Sequence, residues 1–251
     1  MPQVYTFKSL ESYPKLVHQV TQKDDTQAYA FSLALHTNEN PADILANRAA
    51  LQAQFPTMRF VVANQTHSDH ITIIDKPIEQ GWRALETAIE DCDALITDQS
   101  GIMLTVLTAD CVPILLFDPV QKVVATVHAG WKGTYQSIAA KTVQKMHTIF
   151  QSDPQDIRVA IAPSIGVCCY EVGEEVARHF FDDPEAYIAK ENGKYMLNLP
   201  HINQQQLLKA GLEADHIELS GICTACEVDS YFSYRKEQGC SGRFMSMIGL
   251  E

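Results

Sequence analysis

The sequence predicts an α+β fold, a single domain over residues 1–251 with mixed central β-sheets flanked by helices. Three observations carry that reading. Apolar runs of strand length follow one another across short turns, as residues 112–117 and 123–127 do, which favours antiparallel pairing. Helical patterns arrive between blocks of strands and do not alternate with them one for one. No internal repeat, low-complexity tract or Gly/Ser linker interrupts the chain.

The first clear helix begins at Asn40-Pro41 and is expected to run to about Gln54. Asn40 is a capping residue, Pro41 suits the first helical position, and Asp43 complements the positive helix end. Ile44, Leu45, Ala49 and Leu51 give it an apolar side, which leaves Asn47 and Arg48 to be explained. Strands are predicted at 60–63, 71–74, 95–97, 102–107, 112–117, 123–127 and 157–161. After His128, a glycine-flanked turn leads to a helix whose Ala139, Val143, Met146 and Phe150 share one face. Further helices are expected over 173–181 and 199–210, the second stopped by Gly211. Two last strands, 231–234 and 243–248, flank a Gly-rich turn.

Composition excludes several classes. The 251 residues carry 19 Lys+Arg against 31 Asp+Glu, a net charge of −12, and 46% are hydrophobic. The chain is too apolar to be disordered and, with no basic run, is not expected to bind nucleic acid or an anionic membrane through bulk charge. No apolar run approaches a membrane span. Seven cysteines, an odd count in a chain able to build its own core, argue against a disulfide framework. The N-terminus shows no signal core, so a reduced, cytoplasmic protein is expected.

Three potential metal ligands stand at strand ends: His67, Cys111 and His128. Zinc takes imidazole and thiolate, and catalytic sites combine three protein ligands with an open position where a bound water becomes acidic. His70 competes with His67 for an inward position. The same residues admit a second chemistry, with Cys111 as a thiolate nucleophile, His128 as its base and Asp110 orienting the imidazole. Gly130-Trp131-Lys132-Gly133-Thr134 opens a helix after a strand, where backbone N–H groups and Lys132 suit an anion, although the glycine spacing is not that of a P-loop. Cys223-Thr224-Ala225-Cys226 is a lone C-x-x-C with no second copy, so it reads as two packed thiols. The vicinal pair Cys168-Cys169 reads as structural, and Cys240 as a packing or loop thiol. Arg243 follows a turn and either lies on the surface or reaches an anionic ligand.

Taken in order, these motifs resemble one family. They are Asn47-Arg48, Gln65-Thr66-His67, Asp93-Ala94-Leu95-Ile96-Thr97, Thr108-Ala109-Asp110-Cys111-Val112-Pro113 and His128-Ala129-Gly130-Trp131-Lys132-Gly133-Thr134. Next come Ala162-Pro163-Ser164-Ile165-Gly166-Val167-Cys168-Cys169-Tyr170-Glu171-Val172, Cys223-Thr224, Phe232-Ser233-Tyr234-Arg235 and Ser241-Gly242-Arg243. The chain resembles the YfiH-like proteins, also called laccase (multicopper polyphenol oxidase) domain proteins, LACC-type purine nucleoside phosphorylases and peptidoglycan editing factors. The resemblance implies a YfiH-like α+β fold and a zinc site on His67, Cys111 and His128, and it leaves His70 at a variable position. Ser68 stands where the family usually has Gly, and Leu197-Asn198-Leu199 where many members have Leu-Asp-Leu.

The implied activity is phosphorolysis of adenosine, inosine and methylthioadenosine, with deamination of adenosine. The implied partners are a small purine nucleoside and phosphate, and the expected state is a monomer. Arg48, Lys132 and Arg243 are the motif cations available to bind substrate, and Asp110 is a positional candidate for moving a proton. A four-copper laccase is excluded, because nine histidines with no H-x-H pair cannot ligate its centres. Copper could still enter the single site by affinity and give phenol oxidase activity. A cysteine hydrolase acting on peptidoglycan precursors through Cys111 and His128 is the other alternative.

Overall fold

Two large sheets stack face to face with helices outside them. The computed structural model describes residues 3–239 and 241–251. One sheet has five strands in the order Val4–Tyr5, Leu16–Thr21, Phe244–Leu250, Ile102–Thr108 and Arg59–Val61. The other has six, in the order Ile217–Leu219, Arg158–Ile161, Val112–Asp118, Val123–Ala129, Ala94–Thr97 and Ile71–Ile73. A small third sheet joins Glu171–Val172, Tyr195–Leu197 and Tyr187–Ala189. Parallel and antiparallel pairs coexist in both large sheets, the mixed α+β arrangement expected from the sequence.

The continuous apolar runs follow from this stacking, because strands covered on both faces need no polar alternation. Leu95, Leu115, Phe117 and Val124 point into the layer between the sheets and meet Leu104, Ile248 and Leu250 of the five-stranded sheet. Their neighbours Ile96, Ile114, Leu116 and Val127 point outward, onto Ala139, Val143 and Met146 of helix Ile138–Phe150. On the opposite outer face, Phe60, Met103, Met245 and Met247 pack with Leu51 of helix Pro41–Gln52, which Asn40 caps through Ala42 N as its sequence predicts.

Several elements differ from the sequence reading. Residues 231–234 form no strand. Local turn bonds such as Tyr231 N to Glu227 O and Glu237 N to Ser233 O hold this segment, and strand Leu16–Thr21, which the sequence reading missed, takes the place beside Phe244–Leu250. The helix expected over 173–181 is one turn, Glu174–Ala177, tightening into 3-10 geometry over Arg178–Phe180. The Lys132 segment forms a separate five-residue helix, Trp131–Tyr135, before Ile138–Phe150 begins. Among the described residues no helix is long and apolar enough to cross a membrane. Cys240 lies outside the described residues.

Candidate metal centre and cavity

Strand register brings the cavity floor together. In the hairpin of Val112–Asp118 and Val123–Ala129, Val112 lies opposite Ala129 and Pro113 opposite His128. Cys111, one residue before the first strand, therefore meets the end of the second, which closes the sequence gap between Cys111 and His128. His67 reaches the same point from the loop before Ile71–Ile73. Its Nε2 lies 3.7 Å from Cys111 Sγ, and one ligand atom from each of His67, Cys111 and His128 lies within 4.8 Å of the other two. Tetrahedral Zn2+, with bonds of roughly 2.0–2.3 Å, separates thiolate sulfur from imidazole nitrogen by about 3.6 Å, so the donor set fits a metal in both type and spacing.

Asp93, to which the sequence reading gave no role, organises this floor. Its Oδ1 accepts from His128 Nδ1 at 2.7 Å and from His67 N at 3.1 Å. Its Oδ2 accepts from both N and Oγ of Ser68, each at 2.7 Å. One carboxylate thus fixes the His128 tautomer, leaving Nε2 for a ligand, and holds the His67 loop as well. The Ser68 hydroxyl thus adds a bond of its own to this same carboxylate. The loop needs such an anchor because His67 has a left-handed φ of 62°. The signal for Asp93 was its place directly before strand Ala94–Thr97, which pairs with the His128 strand.

The charges on the floor reinforce one another. Burial opposes a Cys111 thiolate, but the adjacent His128 outweighs it, with His67 adding a hydrogen bond, and brings the thiol down to about 6. Burial likewise opposes an imidazolium at His128, yet Cys111 and Asp93 raise it to about 9. Burial also works against the Asp93 carboxylate, while His128 and Ser68 hold it well below the usual carboxylate range. Gly130 packs against the same cluster, where a Cβ would stand 2.8 Å from His67 Cδ2 and 3.1 Å from Cys111 Sγ.

Above the floor opens a cavity of about 470 Å³ whose wall includes His36, Gln65, Asp110, Tyr170, Tyr234, Arg235 and Arg243. It lies where the chain crosses from strand Ile102–Thr108 of one sheet to Val112–Asp118 of the other. Asp110 turns this corner with a φ of 89°. Its carboxylate accepts from Thr224 Oγ1 and from Arg235 N, each at 2.7 Å, so it gathers two wall loops and does not contact His128 as the dyad reading expected. Gln65 is fixed at both ends of its amide to Leu107. His36, open to the cavity, is held below its ordinary value by desolvation in the wall and by the positive charges of Arg243 and Arg48. Burial pushes the Tyr170 hydroxyl up, and Cys111 adds to that shift.

Of the three cations expected to bind substrate, only Arg243 lines the cavity. Arg48 is buried in the packing beneath helix Pro41–Gln52. Its Nε donates to Leu33 O at 2.8 Å, its Nη1 to Gly81 O and Trp82 O at 2.7 Å each, and its guanidinium lies over the Trp82 ring. Asn47 beside it donates to Ala28 O and Ser32 O. The Asn47-Arg48 pair is therefore a structural clamp on main-chain carbonyls. Lys132 is exposed beside Trp131 and does not line the cavity, because it belongs to the short helix that leaves the site. His70 turns outward to pair with Asp91.

Comparison with known proteins agrees with this architecture. A family model described as multi-copper polyphenol oxidoreductase laccase matches residues 20–251. The chain is 36% identical over 228 residues to the purine nucleoside phosphorylase YlmD of Geobacillus stearothermophilus, spanning 88% of this chain and 83% of that one. It is 35% identical over 255 aligned positions to the adenosine deaminase RL5 of an unknown prokaryotic organism, spanning 96% and 95%. The solved structure of the Bacillus licheniformis hypothetical protein YfiH matches with a TM-score of 0.93 at 32% identity, covering 100% of this chain and 97% of that one.

Proposed function

The chain belongs to the multi-copper polyphenol oxidoreductase laccase family, and from its site and its phosphorylase- and deaminase-named relatives we propose a metal-dependent purine nucleoside enzyme. Its reactions are phosphorolysis of adenosine, inosine and methylthioadenosine, and deamination of adenosine, with Zn2+ on His67, Cys111 and His128. One observation carries the reading: three convergent ligands form the floor of a cavity of about 470 Å³ walled by arginines and tyrosines. That volume lies within the range of small-molecule sites. The names of the phosphorylase and deaminase relatives support the substrate class.

The metal, when bound, supplies Lewis acidity at the cavity floor. The chain's own groups do the rest. Tyr170 and Tyr234 offer aromatic faces to a purine. Arg243 offers charge-assisted donors to phosphate, and its place over the Tyr234 ring, 5.7 Å from the centroid, sets phosphate beside the base. His36, neutral at pH 7, meets ribose or phosphate as a hydrogen-bonding imidazole. In phosphorolysis a hydrogen phosphate oxygen bonds to C1′ as the bond from C1′ to the purine breaks, and the base leaves with the proton that the phosphate gives up. Asp110, with both oxygens occupied, positions Arg235 and Thr224. Metal-defined protein incubated with adenosine or inosine, with and without phosphate, tests the proposal. Release of base and ribose 1-phosphate only with phosphate is expected, together with inosine from adenosine, and absence of all three products rejects it.

A second reading has its own observation. Cys111, His128 and Asp93 stand in the order thiolate, imidazole, carboxylate, which suits a cysteine hydrolase acting on an amide. The convergence of His67 on the same sulfur favours the metal. Iodoacetamide separates the two readings: a hydrolase keeps Cys111 reactive in the protein as purified, whereas a metal centre protects it until a chelator is added.

A further inference from the structure

From spacing alone the lone C-x-x-C reads as two packed thiols and the vicinal Cys168-Cys169 as structural. The fold brings them together. All four sulfurs lie within 4.8 Å of one another. Cys168 Sγ and Cys169 Sγ are each 3.6 Å from Cys226 Sγ. Gly166 N donates to Cys223 Sγ at 3.2 Å, and Cys226 N closes a turn onto Cys223 O at 3.1 Å that presents both thiols of the C-x-x-C to one side. The two loops are joined at the backbone, where Thr224 N donates to Ser164 O at 3.0 Å.

Packing does not account for this cluster, since Cys168 and Cys226 are exposed and the other two are only half-buried. Disulfide pairing does not select a couple either, because Cys226 is equally near two partners and all four are free thiols. An iron–sulfur cluster spreads its cysteines over two or more iron atoms, which sets thiolates on different irons farther apart than the 4.8 Å limit met by all four sulfurs here. Tetrahedral Zn2+ with four thiolates separates neighbouring sulfurs by about 3.8 Å, close to what is found here.

We propose that Cys168, Cys169, Cys223 and Cys226 form a second, mononuclear metal site that takes Zn2+. The ion replaces four thiol protons and leaves the centre with two negative charges, part of which the Gly166 N–H offsets by donating to Cys223 Sγ. Four protein ligands leave no open position, so the site is structural. It ties the loop that ends in Tyr170 to the loop that carries Thr224, and Thr224 holds Asp110 in the cavity wall.

Metal content of the full chain, purified and reconstituted with Zn2+ under reducing, anaerobic conditions, tests this directly. Wild type is expected to hold two zinc ions per chain, Cys111→Ala one, and Cys223→Ser/Cys226→Ser one. Co2+ loaded into Cys111→Ala should give the intense thiolate-to-metal charge-transfer bands of a tetrathiolate centre, and these should disappear in Cys111→Ala/Cys226→Ser. If the cluster variants do not fold, the cobalt spectrum of Cys111→Ala decides alone. A Cys111→Ala chain that binds neither metal overturns the proposal, as does a disulfide among these four cysteines in the reduced preparation.

Discussion

The floor and the rim of the cavity are built in different ways. Every floor group except His67 sits at the end of one of three adjacent strands of the six-stranded sheet, and His67 is held to the same frame by Asp93. The rim comes from loops: Tyr170, Tyr234, Arg235 and Arg243 arrive from distant parts of the chain, and Asp110 links two of these loops. Hydrogen-bonded register fixes ligands to within the tolerance a metal needs, and loops supply variable contacts to a substrate. On the proposed function, the floor decides whether chemistry occurs and the rim decides on what.

Substitutions test that division. The largest effect is expected from Cys111→Ala, which should remove the floor metal and lower kcat/KM roughly a thousandfold or more, as measured by metal analysis and steady-state kinetics. The next belongs to pH. In the metal-free floor His128 keeps its proton up to about 9 and Cys111 loses its own above about 6. Metal binding must therefore expel one proton between these values. Affinity should rise about tenfold per pH unit from 6 to 9, flatten above that and fall more steeply below 6, as read by competition with a chromophoric chelator. Arg48→Ala, outside both regions, should cost about 3 kcal/mol in denaturant unfolding by orphaning three buried carbonyls, with kcat unchanged at low temperature.

Asp93→Asn should lower metal affinity roughly 10–100-fold, because the amide loses the charge that both histidine segments share. A rim change should look different. Arg243→Ala should raise the KM for phosphate about tenfold or more with metal content intact, while Lys132→Ala should leave every parameter unchanged. Loss of the metal in a rim variant would show that floor and rim are not independent.

Much of the floor was legible in the sequence because its ligand types are rare and stand where apolar runs stop, as Cys111 does before Val112 and His128 at the end of Val123–Ala129. Asp93 was hidden because its role depends on which strand lies beside His128, and strand order is a tertiary fact. The structural role of Arg48 is hidden in the sequence for a related reason. A cation on an amphipathic helix normally faces water, and only the approach of Leu33, Gly81 and Trp82 reveals three carbonyls that consume its donors. The four clustered cysteines escaped notice because spacing rules see neighbours in sequence, and here two pairs meet through a parallel bridge between Ser164 and Cys223. The apolar runs announced the sheets, yet 231–234 shows that aromatic composition alone does not make a strand.

The grip of Asp93 on His67 and His128 has a consequence for how the proposed metal would be acquired. Both histidine segments are held by bonds to one carboxylate that belong to the fold itself, so the proposed ion would meet ligands oriented by the protein frame. Such a site accepts whichever suitable ion reaches it first, and Cu2+ outranks Zn2+ in intrinsic affinity for nitrogen and sulfur donors. The ion in a given preparation then reflects supply in the host and the growth medium, and oxidase activity after growth in copper would record that history.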